Sequence, residues 1–354
     1  MRRAYWIFAI AVSIASLLAG WFIAGARESA KTTAAATESP RAPAPTGTTG
    51  ATIDQSPSGT TAGSSAQSEA PSTAAGAVAG LLAAVTADGD VVLIDPETAA
   101  TVRTLVPRGS ADPAISVAWD AQREVVYFGR GGSCASIWRY RLGYEPIERM
   151  AQGHHPVISP DGTRVAIATG CTDGGGVDGI SVLDAATGTP TVTMPVALPA
   201  AATIPWYVGD VDWRPDGNAL VVTVGWEGGD EQHVIDLRKP PRSVVAGSRV
   251  PIKTTLRETT FQQIEYVGQR LVIAAFCCTG AEGPASARIV VRDGKTGSLT
   301  SVATVAAYAL TANASGRLRY LDADPSAAPA ALWALDRLDA QPRRIGGSFR
   351  ALSW

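Results

Sequence analysis

Apolar and polar residues fall into three regimes along this chain. The first is a continuous apolar run from Ala4 to about Ala26, preceded by Met1-Arg2-Arg3, weakly interrupted by Ser13, Ser16 and Gly20, and free of charge until Arg27. As a helix, a run of about 22 residues at about 1.5 Å each is about 33 Å long, enough to cross a hydrocarbon core of about 30 Å. It predicts a single uncleaved transmembrane helix within residues 1–27, although Ala24-Gly25-Ala26 also offers a peptidase a small-residue site. The paired arginines hold the N-terminus in the cytoplasm and direct the chain beyond Arg27 to the outside. The second regime, residues 28–78, is Ala, Thr, Ser, Pro and Gly with almost no large apolar side chain. Such a segment buries too little to offset its ordering entropy, which predicts a disordered tether with a reach of about 40 Å.

The third regime, residues 79–354, alternates with the period of two that marks strands. Its clearest unit is a short apolar strand, a Pro-Asp-Gly turn, a second apolar strand, a Gly-rich loop, a third strand ending in Asp and a Thr-Gly-type turn. One copy runs from Val157-Ile158-Ser159-Pro160-Asp161-Gly162 through Val165-Ala166-Ile167-Ala168 to Ile180-Ser181-Val182-Leu183-Asp184. Another runs from Val211-Asp212-Trp213-Arg214-Pro215-Asp216-Gly217 through Leu220-Val221-Val222 to His233-Val234-Ile235-Asp236. Degenerate copies start at Ser116, Gln263 and Leu310. A further copy is split, with second and third strands at Leu81–Val85 and Val91–Asp95 and a first strand at Ala351-Leu352-Ser353-Trp354. Repeats of this length, completed by both termini, predict an all-β, six-bladed β-propeller whose first blade is closed by strands from both ends of the chain.

Aligned on their turns, the first strands end at Trp119, Ile158, Trp213, Tyr266, Ala312 and Trp354. Two positions earlier every residue is apolar: Val117, Pro156, Val211, Ile264, Leu310 and Leu352. The interleaved face is mixed to polar and carries His155, Asp210, Asp212, Gln263 and Glu265, which predicts one packed face and one facing a central channel. The repeat resembles the WD40-like propeller repeat of TolB-type proteins over roughly residues 80–354, through Ser159-Pro160-Asp161-Gly162, Arg214-Pro215-Asp216-Gly217, Asp184, Asp236 and Asp293. The resemblance implies an architecture and no particular activity. The chain lacks the additional N-terminal domain of TolB, so TolB's own partners do not carry over.

Charge and composition narrow the function. Thirty basic and 32 acidic residues give a formal net charge of −2 with no basic stripe, which argues against a nucleic-acid partner. No Gly-x-Ser-x-Gly elbow, His-Glu-x-x-His or P-loop is present, so no catalytic residue is assigned and no cofactor is expected. The Asp residues that close third strands (Asp95, Asp184, Asp236, Asp293 and Asp336) suit Asx turns better than metal ligands. No Cys-x-x-Cys spacing suggests zinc, and no metal site is assigned. Trp119, Trp213 and Trp354 are expected between blades, whereas Trp206 and Trp226 fall in loops and are candidate partner contacts.

The four cysteines, Cys134, Cys171, Cys277 and Cys278, are disulfide candidates in a compartment where thiols oxidise. Cys134 and Cys171 occupy equivalent places on neighbouring blades and are expected to pair. Cys277 and Cys278 are either a vicinal pair or free. His155, Asp210 and Gln263 at the channel mouth, with Asp212 and Glu265 one step deeper, form the candidate ligand site. The expected function is a membrane-anchored, extracytoplasmic binding or scaffold module for a protein or cell-envelope ligand, the alternative being a hydrolase or lyase acting at the channel mouth.

Overall fold

The computed structural model describes residue 78 and residues 80–354, except 110, 133, 145, 172–178, 198–206, 227–228, 253–258, 278–287, 306 and 323–329. The expected helix within residues 1–27, most of the expected linker, Trp206 and Cys278 lie outside the described residues, as do the side chains of Trp226 and Cys277. Among the described residues no helix is long and apolar enough to cross a membrane.

Short antiparallel strands follow one another along the chain. β1 (Leu82–Thr86), β2 (Val91–Ile94) and β3 (Thr101–Val106) pair in order. A four-stranded sheet follows, made of β4 (Ala114–Asp120), β5 (Val125–Arg130), β6 (Ser136–Arg141) and β7 (Glu148–Gln152). The next holds β8 (His154–Ile158), β9 (Arg164–Thr169), β10 (Gly179–Asp184) and β11 (Pro190–Pro195). Another holds β12 (Tyr207–Trp213), β13 (Ala219–Trp226), β14 (Gly229–Asp236) and β15 (Ser248–Arg249). It is followed by β16 (Thr259–Val267), β17 (Arg270–Cys277), β18 (Arg288–Arg292) and β19 (Leu299–Ala303). β20 (Ala307–Ala312), β21 (Leu318–Asp322), β22 (Ala330–Leu335) and β23 (Arg343–Ser353) complete the chain and continue through β23 into β1, β2 and β3 as one seven-stranded sheet.

β23 is long enough to serve two neighbours. Its first half lies against β22, with Trp333 opposite Arg344 and Ala334 opposite Arg343. Its second half lies against β1, with Ala83 opposite Ser353, Ala84 opposite Leu352 and Val85 opposite Ala351. The two ends of the described chain thus share one sheet, and among the described residues no other strand flanks β1 on that side.

The apolar core lies in the seams between sheets. Ala83, Val85 and Leu93 meet Val117, Trp119 and Phe128, while Tyr127 and Ile137 meet Val165, Ile167 and Leu183. Ile180 and Val182 meet Val211, Trp213 and Leu220, and Val221 meets Ile264 and Ile273. Val272 and Ile289 meet Leu310 and Tyr320, and Leu82 and Ile94 meet Leu321 and Leu332. Second strands are covered on both faces and so consist of unbroken apolar runs, such as Val125 to Phe128 and Val165 to Ala168, all buried. Outer strands are the wettest, and Thr101–Thr104 of β3 is exposed on both faces.

Asp turns join third to fourth strands as expected at four positions. Asp95 accepts from the Glu97 and Thr98 amides, and Asp184 from those of Ala186 and Thr187. Asp236 accepts from the Arg238 amide and Asp293 from those of Lys295 and Thr296. Asp336 departs from this pattern: its carboxylate lies among Arg317, Arg319 and Arg343, three guanidiniums that compete for the same oxygens. In the Ser-Pro-Asp-Gly turn, Gly162 takes φ +65° and donates to the Ser159 carbonyl at 2.7 Å, a conformation that favours glycine.

Candidate functional site

The site is built by β4, β8, β12, β16, β20 and β23, which start the repeats. β4 packs beside β8, β8 beside β12, β12 beside β16, β16 beside β20, β20 beside β23, and β23 beside β4. All of them carry a β-bulge near the start of the paired stretch. The extra residue is Ile115 in β4, Gly209 in β12, Tyr308 in β20 and Arg350 in β23, it falls between Phe261 and Gln263 in β16, and it falls between His154 and Val157 in β8. A bulge re-aims side chains and adds twist. Ile115, His155, Tyr308 and Arg350 accordingly line a central cavity of about 670 Å³ together with Asp210, Asp212, Gln263 and Glu265. His155 sits in the left-handed region at φ +47°, following Gly153 at φ +154°.

The structure therefore brings together all five residues singled out at the channel mouth. Four of them also have a definite task in the seams. A first strand pairs on one side only, so its inner edge presents amides with no ladder partner. Asp210 Oδ2 accepts from the Ile264 amide at 2.7 Å and Asp212 Oδ2 from the Tyr266 amide at 2.8 Å. One sheet further on, Gln263 Oε1 accepts from the Leu310 amide at 2.6 Å and Glu265 Oε1 from the Ala312 amide at 3.0 Å. Thr311 Oγ1 then accepts from the Trp354 amide, and Ser353 Oγ from the Trp119 amide, both at 3.0 Å. The alternating polar positions thus form a belt in which the side chain of one strand satisfies the backbone of the next.

Burial in this belt perturbs the carboxyls. Desolvation is the largest cause, and it raises the Asp210 pKa to about 8 and that of Asp212 to about 7. Glu265 is raised well above the usual carboxylate range by desolvation and by the nearby Asp212 and Asp210. His155 faces the cavity and is held below its usual value, first by the protein that surrounds it and then by His154. Among the described residues no group of acids, histidines and cysteines is arranged to hold a metal ion.

Sequence reasoning did not single out Tyr308 or Arg350. Both enter the cavity through bulges, which period-two alternation does not register. The Tyr308 hydroxyl donates to the Phe349 carbonyl at 3.4 Å, and Arg350 Nε donates to the Ala87 carbonyl at 2.7 Å. Trp119 and Trp213 are buried in the seams as expected, and the Trp213 indole donates to the Val157 carbonyl at 2.9 Å. Arginines of the preceding sheet cover two of these rings, Arg164 over Trp213 at 4.8 Å and Arg319 over Trp354 at 5.0 Å.

At the opposite edge from the Pro-Asp-Gly turns, the loops after β5 and β9 are joined by a disulfide between Cys134 and Cys171. Their Cα atoms are 4.4 Å apart, and the bond ties two neighbouring sheets at the rim. Gln152 Nε2 donates to Cys171 Sγ at 3.3 Å.

No family model matches the sequence, and no curated protein matches it. Solved structures do match. TolB from Acinetobacter baumannii is similar, with a TM-score of 0.54 and 16% identity over 78% of this chain and 66% of that one. A chain of the nidogen/laminin complex is similar with a TM-score of 0.54 and 14% identity over 77% of this chain and 97% of that one. The fold is a β-propeller. At these identities the likeness extends to architecture alone, and this chain spans about two thirds of the TolB chain. Each four-stranded sheet is a blade, and the belt of hydrogen bonds runs around the propeller's inner wall.

Proposed function

We propose that this propeller has six blades closed by its last strand, stands outside the cytoplasmic membrane on one N-terminal helix and a flexible linker, and binds a protein or cell-envelope ligand at its loop-rich rim. The observation that carries this reading is the Cys134–Cys171 disulfide, which suits an oxidising compartment and ties the loops of two neighbouring blades at one edge. The blade count is supported by β23, whose halves belong to different ladders, and by Leu82 and Ile94 packing across a seam on Leu321 and Leu332. The apolar run from Ala4 to Ala26 supports the anchor. A propeller of this shape is a component of the nidogen/laminin complex, which supports a protein as the partner class. Trp206 and Trp226, in stretches that the sequence reads as loops, are the proposed contacts.

The test is protease treatment of intact spheroplasts that carry the full chain, after confirming that carbonate leaves the chain in the membrane. Release of propeller peptides by external protease is the expected result, and full protection until lysis would overturn the orientation. A second reading, a hydrolase or lyase at the channel mouth, is favoured by one observation: the cavity gathers His155, Asp210, Asp212, Gln263 and Glu265, with Asp210 able to hold a proton near neutral pH. Calorimetric titration with calcium and wall sugars separates the two. Heat that disappears in Asp210→Asn and Glu265→Gln supports the channel site, and silence in every variant supports the rim.

A further inference from the structure

The face that carries the Pro-Asp-Gly turns has its own electrostatic feature. Between the blade of β16–β19 and that of β20–β22 lies an open groove of about 1250 Å³, walled by the turns after β16, β18, β20 and β22. Arg270, Arg292, Lys295 and Arg337 line it. Arg337 is paired with Asp339 at 2.6 Å. Asp336 is taken up by Arg317, Arg319 and Arg343, which also share Glu97, so that cluster holds more guanidiniums than carboxylates. Asp293 accepts from the amides of its own turn, which keeps it ionised, and its charge acts on Lys295. Arg292 gives its Nε to the Pro251 carbonyl at 3.0 Å, and no ion pair holds Arg270, Arg292 or Lys295 among the described residues. On other blades several arginines of these turns do have acidic partners, Arg123 with Asp120, Arg214 with Asp216 and Arg238 with Asp236. Although the chain has a net charge of −2, this groove carries more cations than carboxylates.

The path of the chain gives that groove a direction. β1 runs antiparallel to the end of β23, with Ala83 opposite Ser353, so the chain enters the propeller at Leu81–Leu82 beside Trp354. This is the edge at which first strands end and their turns lie, the same edge as the groove. We infer that the groove is a docking surface for anionic phospholipid headgroups of the membrane that holds the tether, and that it draws the turn face of the propeller down onto that bilayer. The inference rests on the anchored reading above. Each Lys or Arg near an anionic surface contributes about fivefold to partitioning, so the two cations in excess, with Asp293 set against Lys295, favour the docked state by on the order of thirtyfold. The attraction is screened by salt, with a range of about 10 Å at 0.1 M.

The experiment uses the full chain reconstituted into vesicles of phosphatidylcholine alone or mixed with phosphatidylglycerol. Carbonate resistance is checked first, and hydrogen exchange is then followed in the turns at residues 267–270 and 293–297. The expected result is slower exchange in both turns with phosphatidylglycerol, lost in high salt and lost in an Arg270→Glu, Lys295→Glu variant whose melt is unchanged. Equal exchange in the two lipids by a carbonate-resistant chain would overturn the docking and leave the anchor standing. A chain stripped by carbonate would contradict the anchor, and the difference between lipids would still decide the groove. Protection by soluble polyphosphate in phosphatidylcholine vesicles, without protection by phosphatidylglycerol, would overturn the membrane as the occupant in favour of a soluble polyanion.

Discussion

A buried carboxyl can accept a hydrogen bond from a peptide N–H whether or not it carries a proton, and the inner wall of this propeller uses that property. Asp210, Asp212 and Glu265 each hold an amide of the following blade, and among the described residues none of the three is ion-paired with a lysine or arginine. The cavity they share also holds His155, Tyr308 and Arg350, the last with its Nε given to the Ala87 carbonyl. The folded-state pKa values of Asp210 and Asp212, about 8 and about 7, lie above the ordinary 3.8, so the folded protein binds more protons than the unfolded chain between those limits. Stability is therefore highest in mild acid and declines as pH rises from about 4 toward about 8, with each pKa unit worth about 1.4 kcal/mol. Denaturant melts across this range should show the decline, and Asp210→Asn, which keeps an acceptor but cannot ionise, should lessen it, leaving the share of Asp212 and Glu265. A second residue-scale test separates geometry from charge. Asp212→Ala should cost about 1–3 kcal/mol because the Tyr266 amide loses its partner, whereas Asp212→Asn should cost much less.

At the scale of elements, alternation in the sequence was sufficient to place the first, second and third strands of most blades, and the Asp residues that close four of the third strands. It was also sufficient to collect the channel residues, because they share one strand face. It could not show what those residues touch, since Asp210 and Ile264 are 54 positions apart and Gln263 and Leu310 are 47 apart. Nor could it show the bulges: one inserted residue leaves the composition of a strand unchanged while turning Tyr308 and Arg350 into the cavity. Asp336 misled for a similar reason, since a local Asx turn was the natural expectation and the competing arginines come from β21 and β23 and the turn before β21. The disulfide was legible because equivalent loop positions on adjacent repeats are neighbours in space. It closes a separation of 37 residues, which in the chain-entropy view stabilises by about 4 kcal/mol. Non-reducing peptide maps should recover the Cys134 and Cys171 peptides joined, and a Cys134→Ser, Cys171→Ser variant should melt several degrees lower. Two free thiols in the map would contradict the covalent tie at the rim.

At the scale of the whole molecule, the repeats form a ring only if the last strand completes the first blade. Several independent contacts converge on that join. The Trp354 amide reaches Thr311, Ser353 receives the Trp119 amide, and Tyr308 donates to the Phe349 carbonyl. Arg319, fully buried, lies over the Trp354 ring and pairs with Glu97 from the turn after β2, so the first and last blades are also clasped by charge. A ring without this strand would expose the edge of β1 and open the seams in which Leu352 and Phe349 are buried. The most direct measurement is calorimetric unfolding of the full chain beside a chain lacking Phe349–Trp354. A ring closed by β23 should give one cooperative transition in the full chain and a broad, strongly lowered one in the truncated chain, and an unchanged transition after truncation would contradict the closed propeller.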